Sequence, residues 1–383
     1  MPKLPSGMRK TTHGSYESRF TIEGKRYSVY GKSVRECKEK ELKRRREIAE
    51  SRWQPGKAPT LDEYFREWDQ SRIGTVRDST IRTERYIYRI AADAKLSCGK
   101  RLGQLRLTEL ERQHISEAQA LLSQSYSVSS VNRGISVVRA MLESALEERR
   151  IAWNPAKGVR MLKDAKKPPR ETIHRALSLE ETEAFFRAAR KRGSWYLNLY
   201  SFLLNTGCRF GEAGALRQED IADGIICIRR TLTRTIDGHL IIGGDTKTAH
   251  SARRIPARRE ALAAVQEQLR LNRLFFDGAD EAQTPVFRAP KGGLLGARSV
   301  KKDIDLICLD AGIDRFSAHA FRDTFATRAV ESGMQPKTLQ EILGHADIGI
   351  TMNLYAHVME ETKRSQMAAV EVMRRAEKTS VGT

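Results

Sequence analysis

The sequence predicts a mainly helical, multidomain protein that carries small β elements. The chain has 383 residues, which is too long for one compact core and indicates two or three domains. Most apolar residues recur at helical spacing, and only short stretches alternate in the manner of strands. Two Pro- and Lys-containing stretches, residues 54–59 and 161–170, are typical of linkers. We therefore expect a small sheet-plus-helix module, an all-α domain and a mixed α+β domain, in that order.

The first part, residues 1–55, is expected to fold as a small sheet backed by one helix. Residues 16–22 alternate apolar and polar side chains, Gly24 supplies a turn, and residues 26–30 return as a second strand. A charged helix is expected to follow over about residues 33–51. The sheet would have two or three strands.

The second part, residues 56–165, reads as an all-α domain. Thr60 and Glu63 have the spacing of a capping box at the start of a helix with a strong apolar face. Further helices are expected over residues 79–92, 108–122 and 128–149. Their apolar stripes are assigned to the core of the domain.

The third part, residues 170–383, is predicted to be a mixed α+β domain. A second capping box begins at Ser178 and opens its first helix. Helices then bracket one hairpin, whose strands are expected at residues 225–230 and 253–256. A last helix is expected over about residues 360–378, and its modest apolar face can pack within the chain.

The chain is strongly basic, with 68 Lys and Arg against 48 Asp and Glu and a formal net charge of +20. This surplus favours a polyanionic partner such as DNA or RNA, although a generally basic protein is the alternative. A sheet backed by a basic helix suits a nucleic-acid groove, and a flexible basic linker would let two domains close around a duplex. The DNA-binding candidates are Lys43, Arg44, Arg45 and Arg46 in the first helix, and Lys166 and Lys167 in the second linker. A solvated basic helix is the alternative for the first group.

Other features argue against a membrane or secreted protein. No stretch approaches the roughly 20 apolar residues of a membrane span, and the N-terminus lacks the apolar segment of a secretory signal. The five cysteines are odd in number and never form a C-x-x-C pair, which argues for a reducing compartment and against structural zinc. We expect a bacterial cytoplasmic protein that works alongside the chromosome.

The residue types that indicate chemistry lie in the last third of the chain. His319 and Arg322 are three residues apart and share a helix face; His345 and Tyr355 follow. Arginine grips two phosphate oxygens, histidine moves protons near neutral pH, and tyrosine can attack as a covalent nucleophile. Together these residues point to chemistry on a phosphodiester.

Two upstream motifs fit the same target. Arg209 follows a glycine turn at a helix start, where free backbone N–H groups suit a phosphate, and Glu212 can fix its guanidinium from behind. Lys247 lies beside a probable β-turn, from which it can reach a leaving oxygen as a general acid. The alternatives are a surface ion pair for the first motif and a solvent-facing lysine for the second.

In order and spacing, this set of residues resembles the tyrosine recombinase (phage integrase) family over about residues 175–360. The upstream layout resembles the three-domain integrases of bacteriophages and conjugative transposons. The resemblance implies an arm-site DNA-binding domain at residues 1–55, a helical core-binding (SAM-like) domain at residues 56–165, and a catalytic domain with a C-terminal helix at residues 170–383.

The resemblance also implies a role for each catalytic residue. Arg209 and Arg322 would clamp the scissile phosphate, Tyr355 would attack it to give a 3′-phosphotyrosine, and Lys247 would protonate the 5′-oxygen that leaves. Preorganised donors of this kind commonly supply the largest catalytic term.

Three further residues complete the implied site. His319 would assist proton transfer, His345 would bind a phosphate oxygen, and Glu212 would support the arrangement. Asp323 stands where relatives often have histidine, and it can orient a neighbouring basic group instead. No cofactor and no metal are expected; His357 lacks ligand-type spacing to the other histidines.

The function implied is that of a site-specific recombinase that integrates and excises a mobile element. Its implied partners are double-stranded DNA at core and arm-type sites, further copies in a homotetramer, an excisionase and host DNA-bending proteins. The alternatives are a chromosome-dimer resolvase, a monomeric type IB topoisomerase, and a DNA-binding regulator with an inactive site. The extra module at residues 1–55 argues against the resolvase.

Overall fold

The structure is a computed structural model that describes residues 7–11, 14–22, 25–52, 58–163, 175–243, 252–276 and 284–358. The chain divides into two compact units, residues 1–168 and 169–383. Within the described ranges the elements are mostly helices with three small sheets, which confirms the predicted fold class. No helix in these ranges is both long and apolar enough to cross a membrane.

The first unit begins with a three-stranded antiparallel sheet and a helix. The strands are β1 (Met8–Lys10), β2 (Tyr16–Ile22) and β3 (Lys25–Gly31), in the order β1-β2-β3. Helix α1 (Val34–Arg52) packs on β2 and β3. Phe20 and Cys37 are buried between the sheet and the helix, since alternate residues of β2 face α1.

Four helices form the rest of the first unit: α2 (Leu61–Ser71), α3 (Asp78–Ala92), α4 (Arg112–Leu122) and α5 (Val128–Glu147). The predicted capping box of α2 is present, because Thr60 accepts from the Glu63 N–H and the Glu63 carboxylate accepts from the Thr60 N–H. The apolar faces of these helices meet in one core, in which Phe65 stacks on Tyr88 with ring centroids 3.6 Å apart.

The other α-helices of the described chain lie in the second unit. They are α6 (Leu179–Arg192), α7 (Leu197–Thr206), α8 (Phe210–Ala213), α9 (Arg259–Phe275), α10 (Ala297–Ala311), α11 (His319–Glu331), α12 (Pro336–Leu343) and α13 (Ile348–Val358). A large aromatic-rich core holds α6, α7, α10 and the start of α11 together. A smaller apolar cluster joins the end of α11 to α12 and α13.

The strands of the second unit differ from the prediction in number and in extent, since the strand expected over residues 225–230 ends at Ile228. They are β4 (Ile221–Ala222), β5 (Ile225–Ile228), β6 (Thr231–Arg234), β7 (Leu240–Gly243) and β8 (Arg253–Pro256). Strands β5 and β8 pair as expected, with Ile226 opposite Ile255. Between them, however, β6 and β7 form a separate hairpin, whose turn contains Asp237 and Gly238. The Asp-Gly dipeptide is a hairpin signal that sequence reasoning passed over.

Some predicted segments fall outside the described residues. These are most of the first linker, much of the second linker, and the helix expected over residues 360–378. The boundary between residues 55 and 56 stays a prediction.

Candidate active site

Arg209 lies at the junction of α7 and α8, where its backbone and side chain both bind Glu212. The Arg209 N–H and Nη1 donate to the two carboxylate oxygens of Glu212, each over 2.9 Å. The Arg209 side chain is 40% exposed, whereas that of Glu212 is only 4% exposed. Gly207 makes the turn possible, because its φ is +64° and a Cβ there would come within 2.5 Å of Phe325. The fold thus holds Arg209 from behind and leaves part of it open.

Arg322 lies on α11 and is almost completely buried. Its Nη1 donates to the Gly207 carbonyl over 2.8 Å, and its Nη2 donates to the Leu343 carbonyl over 2.7 Å. Burial, followed by the positive charge of Arg209, lowers the pKa of Arg322 to about 9, although the charge of Glu212 acts in the opposite direction. The Arg322 guanidinium therefore lies in a site that favours an additional anion.

A third guanidinium, Arg253, belongs to the same cluster and was not among the predicted site residues. It lies at the start of β8 with its side chain 5% exposed. Nη1 and Nη2 of Arg253 donate to the two oxygens of Glu212 over 3.0 and 2.7 Å. A signal was present in the sequence, because strand alternation puts Arg253 on the same face as the core residue Ile255.

Glu212 is ionised at the centre of this cluster. Its burial alone would raise the pKa of the carboxyl, but the hydrogen bonds and charge of Arg253, followed by those of Arg209, lower it to about 2. For Arg253, burial alone would lower the pKa, but its bonds to Glu212 raise it. Two guanidiniums thus bind one carboxylate and a third lies close by, so the described part of the cluster carries excess positive charge.

The C-terminal end of α12 supplies the remaining acceptors. The Ile342 carbonyl accepts from Arg253 Nε over 2.6 Å, and the Gly344 carbonyl accepts from Arg209 Nη2 over 3.2 Å. The Leu343 carbonyl binds Arg322, as described above. The last carbonyls of a helix lack intrahelical partners and carry the negative end of its dipole, so cations are stabilised there. The end of α12 therefore positions all three guanidiniums.

The two predicted histidines lie at the start of α11 and just after the end of α12. His319 begins α11, and its Nε2 lies 3.5 Å from Oδ1 of Asp323, one helical turn later. His345 directly follows Gly344, and its Nδ1 lies 3.0 Å from the hydroxyl of the fully buried Thr351 on α13. His345 therefore comes next to the acceptor carbonyls of α12, and α13 holds its ring.

Tyr355 lies on α13 in the small apolar cluster and is 5% exposed. Its hydroxyl donates to the Met334 carbonyl in the turn between α11 and α12. Burial raises the pKa of the phenol. Tyr355 shares the apolar cluster with Leu343, whose carbonyl binds Arg322, but its hydroxyl is bound elsewhere.

Three predicted site residues, Lys166, Lys167 and Lys247, lie outside the described residues. The other basic candidates lie on α1: Lys43, Arg44, Arg45 and Arg46. Arg45 stacks over Phe20, 4.3 Å from the ring centroid, and donates to Glu41 over 2.8 Å. Its guanidinium thus lies against the sheet, while Lys43 and Arg44 are exposed.

The opposite face of the N-terminal sheet carries basic residues that sequence reasoning missed. Glu17 in β2 is buried and accepts hydrogen bonds from Arg9, Arg19 and Tyr30. The side chains of Arg9 and Arg19 are each 59% exposed. Alternation along β2 was the available signal, since Glu17 and Arg19 face away from Phe20.

Within the described residues, no group of three His, Cys, Asp or Glu side chains could hold a metal ion. A buried cationic cluster flanked by two histidines, with a tyrosine on the adjacent helix, has the features of a tyrosine recombinase.

Comparison with known proteins leads to the same class. Residues 175–362 match the phage integrase family. A tyrosine recombinase XerC of Alcanivorax borkumensis is 27% identical over 255 residues, which are 63% of this chain and 73% of that protein. The transposase of transposon Tn916 from Enterococcus faecalis is 29% identical over 213 residues, which are 51% of each chain.

Solved structures share the fold. An integrase of transposon Tn1549, in complex with a circular intermediate DNA, aligns with a TM-score of 0.66 at 22% identity and covers 82% of this chain and 100% of that one. A lambda integrase dimer bound to a core site aligns with a TM-score of 0.57 at 16% identity over 99% of both chains. Residues 175–362 belong to the phage integrase family, and this region identifies the protein as a tyrosine recombinase.

Proposed function

We propose that this recombinase cleaves and rejoins DNA strands through a 3′-phosphotyrosine, and that it integrates and excises a mobile element. The observation that carries the proposal is the charge balance of the site. Among the described residues, Arg209 and Arg253 share the Glu212 carboxylate, and Arg322 binds only backbone carbonyls, so three positive charges face one negative charge. A scissile phosphate would supply further negative charge, and its charge grows in the transition state.

In the proposed reaction, Arg209 and Arg322 bind the non-bridging oxygens of the scissile phosphate. The hydroxyl oxygen of Tyr355 attacks phosphorus and loses its proton, with assistance from His319. The bond from phosphorus to the 5′-oxygen breaks, Lys247 protonates that oxygen, and His345 donates to the phosphate. Attack by a 5′-hydroxyl of a second strand reverses these steps and releases Tyr355.

Tyr355 must leave its bond to Met334 before it can attack. Burial in the small apolar cluster also raises its pKa, which disfavours loss of the phenolic proton there. We therefore assign the buried position of Tyr355 to a resting state, from which α13 must move when DNA is bound.

The proposed partner is double-stranded DNA, bound by all three domains. The arm-site domain is residues 1–55, the core-binding domain residues 56–165 and the catalytic domain residues 170–383. Support comes from the basic sheet face around Glu17 and from the Tn1549 and lambda integrases, which were solved on DNA. A lambda integrase tetramer on a Holliday junction supports a homotetramer for this chain as well.

A chromosome-dimer resolvase is the second candidate function, because tyrosine recombinases XerC and XerD are among the relatives. The N-terminal sheet favours the integrase, since its exposed arginines offer an additional DNA-binding face. Footprinting on the ends of the element that carries the gene separates the two. Protection at arm sites outside the crossover core is expected for an integrase, and protection of the core alone would favour the resolvase.

The test of the chemistry is covalent trapping on a nicked suicide substrate. The wild-type protein is expected to form a protein–DNA ester, and Tyr355→Phe is expected to form none while it binds DNA with similar affinity, because only the attacking oxygen is lost. Denaturing gel electrophoresis measures the ester and a mobility shift measures binding. Trapping that survives in Tyr355→Phe would show that another residue is the nucleophile.

A further inference from the structure

We propose that Arg253 is a positioning residue for DNA cleavage, which acts by controlling how Glu212 holds Arg209. This inference rests on the proposed function, in which Arg209 binds the scissile phosphate. Arg253 itself is buried and lies behind Glu212, so its role is to place another guanidinium.

Arg253 joins two separate elements of the second unit. Its Nη1 and Nη2 bind both oxygens of Glu212 on α8, and its Nε binds the Ile342 carbonyl at the end of α12. The two side chains of the ion pair are 5% and 4% exposed, so water does not screen it as it would a surface pair. The bonds fix α8, β8 and the end of α12 relative to one another.

Arg209 and Arg253 compete for the same carboxylate. Oε1 of Glu212 accepts from Nη1 of both arginines, over 2.9 and 3.0 Å. While Arg253 occupies both oxygens, the Arg209 side chain makes one bond to Glu212 and directs its Nη2 to Gly344. Without Arg253, the Arg209 side chain would form a bidentate ion pair with the buried carboxylate, because such pairs are the strongest that a guanidinium forms. Arg209 would then turn away from the phosphate.

The geometry requires arginine and does not suit lysine. Three acceptors, two on Glu212 and one on Ile342, surround the planar guanidinium of Arg253. A lysine ammonium carries its donors on a single nitrogen and cannot span these positions in one plane. Arg253→Lys therefore keeps the charge and loses the arrangement, which makes it the informative variant.

The chain offers a matched control in the next residue. Arg254 carries the same charge on the same strand but is exposed, since alternation directs it to the other face of β8. Arg254→Lys removes the same chemical group without touching Glu212.

The experiment compares cleavage and binding for these variants in the full-length protein. Arg253→Lys is expected to form the covalent complex about 100-fold more slowly under single-turnover conditions, as a 1 Å misplacement of a catalytic group does. Its DNA affinity in a mobility shift is expected to change less than about threefold. Arg254→Lys is expected to match the wild type in both. An equal cleavage rate for Arg253→Lys and Arg254→Lys would overturn the proposal.

A double-variant cycle shows whether Arg253 acts through Arg209. If it does, Arg253→Lys added to Arg209→Lys is expected to slow cleavage little further, since coupled residues are not additive. Additive losses would assign Arg253 a general structural role and overturn the proposal. Wild-type cleavage by Arg209→Lys alone would instead refute the proposed role of Arg209, so the two failures are distinguishable.

A second variant covers the case in which Arg253→Lys does not fold. Replacing the buried pair by Glu212→Gln with Arg253→Met removes one negative and one positive charge together, and such replacements commonly preserve stability. This variant is expected to show the circular dichroism spectrum of the wild type and to cleave about 100-fold more slowly, because Arg209 loses the carboxylate that holds it from behind and keeps only carbonyl acceptors. Full cleavage activity in the folded variant would overturn the proposal.

Discussion

Glu212 is the residue on which the charge balance of the site depends. It is the one carboxylate that Arg209 and Arg253 both bind in the described part of the site, and burial makes its ionised form depend on them. Arg322, which has two carbonyl partners and no bond to Glu212 among those described, has its pKa lowered to about 9. Burial thus disfavours the charged form of both residues, and contact with counter-charges overcomes this effect for Glu212 alone of the two.

The pKa of Glu212 predicts how the stability of the second unit depends on pH. The pKa of the Glu212 carboxyl is about 2 in the folded chain, against its ordinary value of 4.5, which we take for the unfolded chain. Its contribution to stability, about 3 kcal/mol, is therefore present above pH 4.5 and is lost as the pH falls towards 2. Urea denaturation should show that the free energies of unfolding of the wild type and of Glu212→Gln differ most at pH 7. The two values should converge as the pH falls from 4.5 towards 2. A difference that is constant with pH would contradict this assignment.

At the scale of elements, the C-terminal end of α12 organises the site. Three successive carbonyls, from Ile342 to Gly344, accept bonds from guanidiniums at the junction of α7 and α8, on α11 and on β8. Gly344 adopts a φ of +67°, which ends the helix and turns the chain to His345. A helix end is suited to this role because its carbonyls are preoriented and carry no net charge that would cancel the cluster.

Substitution of Gly344 tests the importance of this helix end. A Cβ at Gly344 would lie 3.0 Å from Arg253, and the positive φ is itself strained for alanine. Gly312 ends α10 with the same φ of +67°, but a Cβ there meets nothing within 4 Å, so Gly312→Ala is the matched control. Both variants should lose about 1–2 kcal/mol of stability. Only Gly344→Ala should also slow cleavage, by about tenfold. A displacement of 1 Å costs roughly 100-fold in rate, and the contact with Arg253 requires a smaller shift than that. Equal cleavage by the two variants would argue against the role of α12.

At the scale of the whole molecule, cationic groups are arranged differently in the two units. In the second unit they are buried around Glu212, where they suit one phosphate held in a fixed position. In the N-terminal sheet they are exposed around Glu17, where they suit several phosphates along a duplex. The first arrangement fits chemistry and the second fits binding.

The exposed sheet face leads to a prediction about arm-site binding. Arg9→Gln with Arg19→Gln should weaken binding to arm-site DNA and reduce the slope of log affinity against log salt by about 1 per arginine. Binding to a core-site duplex should change little. Arg35→Gln with Lys38→Gln removes the same charge from the exposed side of α1 and is the control. An equal loss in both double variants would mean that net charge alone matters, and a loss confined to the core site would contradict the domain assignment.

Much of the fold could be predicted because its signals are local. The capping boxes at Thr60 and Ser178 mark helix starts by the spacing of two side chains, and both are present. The pairing of β5 with β8 was also predicted, from the two short strand-like stretches that form them. The hairpin of β6 and β7 was missed because its strands are short and only partly buried, which leaves a weak pattern.

The sequence by itself determined the family and the residue types of the candidate site, because those depend on spacing along one chain. Only the tertiary structure decided that Arg253 belongs to the cluster, that α12 ends among three guanidiniums, and that the hydroxyl of Tyr355 binds Met334. These contacts join residues that lie far apart in sequence. Their partners are backbone carbonyls and a shared carboxylate, and a carbonyl is present in every residue, so no residue type reveals which ones will bind.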